Sequence, residues 1–264
     1  MPDRSTEDRF FVSGQGEPVF LVHGNASTHE TWSGVVRSLA KDSQCITYDL
    51  RGRGTDSSGA ETYSLDDLVD DLEALGVIFE AQSAHFIGHS LGGMIVAAYA
   101  QRFPKRVRTL CLMATPAGRT AEDMAKSNKI AQSIRENGVR ATLGTMVESW
   151  YTDTFVAAHP SAIDQRLEQI VAIDQNVFLN GLNLYAATEV EESLSELSMP
   201  TLVMSGELAI GCGAKMCEKI HGHLPNSHLK IFEGLKNGIF TEIPEAVAAE
   251  VSSFIRSALE PTAR

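Results

Sequence analysis

The chain has 264 residues, 43% of them hydrophobic and 21% charged, and a formal net charge of -12. That length is enough for one large α/β domain with an insertion, and the composition excludes a disordered chain. The acid excess argues against nucleic acid and anionic membrane as partners, because little is available to neutralise phosphates.

The opening residues, MPDRSTEDRF, are charged and polar and lack the apolar core of a secretory signal. No stretch approaches the roughly 18 apolar residues of a membrane span. Phe10 to Ser13 reads as an edge strand and Val19 to Val22 as a buried one, ended by His23-Gly24. Thr31 to Lys41 has helical spacing through Trp32, Val35, Val36 and Leu39. Cys45 to Tyr48 is the next strand, followed by the loop Asp49-Leu50-Arg51-Gly52-Arg53-Gly54. Ser64 to Phe79 is a helix with Ser64 as N-cap and Asp66 and Asp67 in its first turn, where the dipole favours anions. Ala84 to Gly88 is a strand, Leu91 to Arg102 a helix and Arg108 to Met113 a strand. Alternation with short connections implies an α/β fold with a mostly parallel sheet covered on both faces.

The rhythm breaks between Ala121 and Leu197, where helical patterns are punctuated by Gly138, Gly144, Pro160 and Gly181. It resumes with a strand from Pro200 to Ser205, a helix from Ala214 to His221 and a strand from His228 to Phe232. A closing helix from Ile243 to Leu259 carries Pro244 in its first turn, where a missing N–H costs little. Cys45 and Cys111 fall in predicted buried strands, and Cys212 and Cys217 lack a second Cys/His pair at zinc-finger spacing. Reduced thiols in a cytoplasmic protein, with no metal, are the expectation.

Gly88-His89-Ser90-Leu91-Gly92 matches the G-x-S-x-G nucleophile elbow, a sharp strand-to-helix turn that presents a serine hydroxyl above the sheet edge. A serine hydroxyl attacks a carbonyl if a base takes its proton and donors hold the developing oxyanion. The backbone N–H groups of Leu91 and Asn25 are the expected donors.

Together with Leu21-Val22-His23-Gly24-Asn25, Asp49 to Gly54, and Pro200-Thr201-Leu202-Val203-Met204-Ser205-Gly206-Glu207, the elbow gives four motifs in a fixed order. In these the chain resembles the capped α/β-hydrolases, a superfamily of esterases, lactonases and C–C hydrolases. The resemblance implies a core of residues 1–118 and 198–264, a helical cap of residues 119–197, a small-molecule substrate, and neither metal nor organic cofactor. It leaves the oligomeric state open. His23 and Asp49 are expected to be structural, His23 by bracing the oxyanion loop, while Arg51 and Arg53 pin a loop. Asp56, followed by Ser57, stands where the family often has Ser. His89, Met146, Trp150 and Tyr151 are candidate pocket residues, with Met124, Phe155, Phe178 and Leu182 as further ones. Their apolar character suggests an uncharged substrate region.

The catalytic acid and base positions depart from the family. After the strand ending at Ser205 the family reads G-x-x-D, and here Gly206-Glu207-Leu208 is followed by Ala209. Where the family places its histidine, Leu235-Lys236-Asn237-Gly238 stands instead. None of the eight histidines (23, 29, 85, 89, 159, 221, 223, 228) lies at or beyond that position. The two losses are chemically coupled: the acid acts through the imidazole, and without it a carboxylate there is a partly buried, unpaired charge. Three explanations fit. The chain is a serine hydrolase deliberately disarmed at Ala209 and Asn237; or it has lost hydrolysis naturally and binds a ligand or runs a lyase or isomerase step with Ser90; or a replacement base comes from His159 or Glu207. Very weak hydrolytic turnover is the expectation for the sequence as it stands.

Overall fold

The computed structural model describes residues 10–54, 62–144 and 146–259. The opening residues 1–9 and the Asp56-Ser57 departure lie outside the described residues. Seven strands form one sheet: β1 (Phe10–Ser13), β2 (Glu17–Val22), β3 (Ser43–Tyr48), β4 (Ala84–His89), β5 (Val107–Met113), β6 (Thr201–Gly206) and β7 (Ser227–Phe232). Their spatial order is β1-β3-β2-β4-β5-β6-β7. β1 runs antiparallel to β3, and every other pairing is parallel.

Side-chain alternation sorts the strands between two cores. Phe20 and Val22 of β2 and Leu110 and Leu112 of β5 point to one face. Val19 and Leu21, and Cys111 and Met113, point to the other. The first face is covered by α2 (Leu65–Ile78), α3 (Leu91–Arg102) and α9 (Ala214–His223). The second is covered by α1 (Ser33–Leu39), α10 (Ile239–Glu242) and α11 (Pro244–Leu259). Burial on both sides explains why the central strands read as apolar runs. Ser64 caps α2 through a reciprocal capping box with Asp67.

Between β5 and β6 the chain is helical: α4 (Ala121–Leu143), α5 (Asp153–Ala158), α6 (Pro160–Val171), α7 (Gln175–Ala187) and α8 (Glu191–Leu194). Gly138, at φ 83 and ψ 166, breaks α4 into two segments. These helices share their own apolar cluster, including Ile134, Val147, Ile163, Ile170 and Phe178. No described helix is long and apolar enough to cross a membrane. All four cysteines are buried free thiols.

Candidate active site

The turn from β4 into α3 is as tight as the glycines require. A Cβ on Gly88 would sit 2.3 Å from the Gly92 carbonyl oxygen, and one on Gly92 2.1 Å from the Val22 carbonyl oxygen. Between them Ser90 is held at φ 55, ψ -116, a conformation disfavoured for a residue with a side chain. Its N–H donates to the Met113 carbonyl (3.0 Å), which ties the elbow to the end of β5. Ala114, the next residue along, also has positive φ. Both Ser90 and Ala114 line a cavity of about 300 Å³.

The first turn of α3 starts at Leu91, directly beneath the cavity, so its N–H is at the positive end of the helix dipole. Opposite it is the loop after β2. The buried His23 ring fixes that loop: Leu50 N–H donates to Nε2 (3.1 Å), which leaves the Nδ1 proton for the Gly24 carbonyl (2.8 Å). Both bonds suit the neutral ring, and burial pushes its pKa down to about 4. Buried Asp49 accepts from His29 N–H (2.7 Å) and lies 2.9 Å from His29 Nδ1. Asn25 lines the cavity, with its side-chain oxygen on Arg53 (2.5 Å) and its amide on the Phe178 carbonyl (3.2 Å). Arg51 reaches Asp71 on α2 (2.7 Å).

Asn237 also lines the cavity. Its Oδ1 accepts from Ile210 N–H (2.9 Å) and its Nδ2 donates to the Ile210 carbonyl (3.3 Å). The side-chain amide therefore pairs with a backbone unit adjoining Ala209. Ala209 itself is buried and is not a lining residue, although Ile210, Gly211 and Cys212 after it are. The structure thus brings together Ser90, Leu91, Asn25, Asn237 and the loop of Ala209.

His89, Met146, Trp150, Tyr151, Phe178 and Leu182 all line the cavity. Met124 and Phe155 do not: Met124 is on an exposed face of α4, and Phe155 stacks on Tyr151 (5.4 Å) from behind. His159 packs against Phe155 at the start of α6, and the Glu207 carboxylate accepts from Gly234 N–H (2.9 Å). Neither reaches the cavity. His228 is in β7 against Phe254. Among the described lining residues the only imidazole is His89 and the only carboxylate is Asp123. Burial, with help from Arg166, holds the His89 pKa down to about 3. Asp123 is engaged in the capping box of α4.

The expectation of an uncharged wall is corrected: Arg119, Asp123, Lys126 and Arg166 all line the cavity. Arg166, on α6, lines the cavity and donates to the Ala26 carbonyl (2.5 Å) and Ser27 Oγ (2.9 Å). The sequence carries a signal for it: Arg166 is spaced three residues after Ile163 and four before Ile170, both buried, so it belongs to the inward stripe of α6.

A model of the alpha/beta hydrolase fold matches residues 17–242. The chain is similar to 3-oxoadipate enol-lactonase 2 of Acinetobacter baylyi (25% identity, 83% of this chain and 82% of that protein). It is also similar to the pimeloyl-[acyl-carrier protein] methyl ester esterase of Aliivibrio salmonicida (26% identity, 93% and 94%). The enol-lactonase from Burkholderia xenovorans LB400 shares the fold, with a TM-score of 0.86 at 19% identity over 94% of this chain and 95% of that one. On its sheet order, its strand-to-helix elbow and these likenesses, the chain belongs to the alpha/beta hydrolase fold family.

Proposed function

We propose that the cavity over Ser90 takes a small carbonyl compound, an ester, lactone or activated ketone, and that it lacks the general base for rapid hydrolysis. Ser90 is the nucleophile, and the N–H groups of Leu91 and Asn25 receive the oxyanion. Ala209 and Asn237 occupy the acid and base positions. The helical segment of residues 119–197 acts as a cap that sets specificity and excludes water. The reading rests above all on Asn237. It lines the same cavity as Ser90, has no basic nitrogen, and is bound through both its amide oxygen and its amide nitrogen to Ile210. The names of the enol-lactonase and methyl ester esterase relatives support a carbonyl substrate.

The same pairing favours a second reading, a protein that has given up hydrolysis. The Asn237 amide meets the N–H of Ile210 with its oxygen and the C=O of Ile210 with its nitrogen. The loop of Ala209 is therefore fitted to the amide.

Aryl-ester turnover tests the primary reading. With the base missing, the expected rate is several powers of ten below a complete triad, with about 10³–10⁴ over water left from the oxyanion hole and binding. Ser90→Ala then costs less than about tenfold, because members of a triad act as a unit. Fast turnover that Ser90→Ala abolishes would overturn the missing-base reading.

A further inference from the structure

We propose that Arg166 is an anion anchor in this cavity, and that the molecule held over Ser90 carries a carboxylate as well as its reacting carbonyl. This rests on the cavity being a small-molecule site. The guanidinium is deep in the protein, and burial pushes its pKa down, yet arginine stays protonated at ordinary pH. The residue still keeps accessible surface, and it is a lining residue.

What sets Arg166 apart is its company. Four charged residues line the cavity: Arg119, Asp123, Lys126 and Arg166. Lys126 is compensated by Glu122 (3.1 Å) and Asp123 (3.8 Å) on its own helix. Arg119 donates to the Tyr185 and Thr188 carbonyls and has Glu189 at 3.7 Å. Arg166 has only neutral partners: the Ala26 carbonyl, Ser27 Oγ and the Tyr151 hydroxyl. Among the described residues no carboxylate pairs with it. A buried cation without a counter-charge is costly. A ligand carboxylate would supply the missing charge, and a guanidinium fork binds one through two parallel hydrogen bonds.

The position suits that role. Arg166 touches Ala26 and Ser27, the residues immediately after Asn25, and its field reaches His89 beside Ser90. A ligand spanning Arg166 and the elbow would present its carboxylate to the cap and its carbonyl to Leu91 and Asn25. The remaining wall, with Ile130, Leu143, Phe178, Leu182 and Phe240, is apolar and fits a short carbon chain between the two ends.

Hexanoate and hexanamide are a matched pair of probes, alike in shape and different in charge. Calorimetry on the wild-type protein should show hexanoate binding about tenfold or more tighter than hexanamide, the range of a charge-assisted hydrogen bond. In Arg166→Gln that preference should vanish while hexanamide affinity stays within about threefold. Arg166→Lys should keep part of it, and Leu182→Trp, which fills the cavity, should abolish both. Equal binding of the two probes to wild type overturns the anion anchor alone and needs no variant to be read. Equal loss of both in Arg166→Gln, at unchanged Arg166→Lys, also overturns it, since the residue would then only brace the loop. Binding of neither probe overturns the anchor together with the cavity reading beneath it.

Discussion

Individual side chains around Ser90 are set by solvation more than by contact. His23 and His89 sit in the protein as neutral rings, with pKa values down to about 4 and about 3 from an ordinary 6.5, chiefly because burial penalises the imidazolium. The unfolded chain therefore takes up protons first as pH falls through 6.5, and the folded state follows only well below. Stability is fully present above about 6.5 and is lost as pH falls toward 4. Between about pH 6.5 and 5.5 the carboxylates are still almost fully ionised, so the slope in that window belongs chiefly to the histidines. Urea titrations across the window should show the unfolding midpoint falling with acid, and His89→Gln should flatten part of that fall. A midpoint that is level from about pH 6.5 down to about pH 5.5 would refute the buried-neutral assignment. Side chains were also where the sequence was hardest to read. Ser90 was legible because its motif is local. Arg166 was not, since a basic residue on an amphipathic helix is ordinarily read as solvated; only its spacing from Ile163 and Ile170 gives it away.

The elements themselves were largely legible, for a physical reason. Helix α3 and the strands β4, β5 and β6 have two-sided apolar environments, so periodicity and length specify them with little help from long-range contacts. The short helix α10 was missed, because four residues between Gly238 and Ile243 carry no helical period. The junction of β4 and α3 is where an element boundary bears on stability. In Gly92→Ala the new methyl meets the Val22 carbonyl oxygen at 2.1 Å, and backbone cannot swing aside as a side chain can. Denaturant unfolding should show a loss of about 1–3 kcal/mol, toward the upper end. Gly222→Ala is the matched control: it is in α9 with nothing within 4 Å of the added carbon, and it should gain about 0.5–1 kcal/mol from helix propensity. Equal effects at the two sites would show that the elbow is looser than its geometry.

Taken whole, the molecule is a sheet with a helical segment fastened over its C-terminal edge. The fastenings are hydrogen bonds between the segment and the rest of the chain: Arg53 to the Val177 carbonyl (3.2 Å), Arg166 to the Ala26 carbonyl (2.5 Å), Gly238 N–H to the Trp150 carbonyl (2.8 Å) and Thr152 Oγ1 to Glu242 (2.6 Å). Long-range pairings of this kind leave no local trace, so the sequence offered Met146, Trp150, Tyr151, Phe178 and Leu182 as lining residues but not the polar ties that hold their helices in place. Ser90, Asn25 and Asn237 line one cavity, so under the proposed function the deficit is one of chemistry. Its repair is therefore the most direct measurement. Ala209→Asp with Asn237→His should raise aryl-ester turnover by about 10³-fold or more over wild type, and Ser90→Ala added to that pair should return it to background. A folded double variant with an unchanged melting temperature and a rate within about tenfold of wild type would contradict the claim that an acid and a base are all this site lacks.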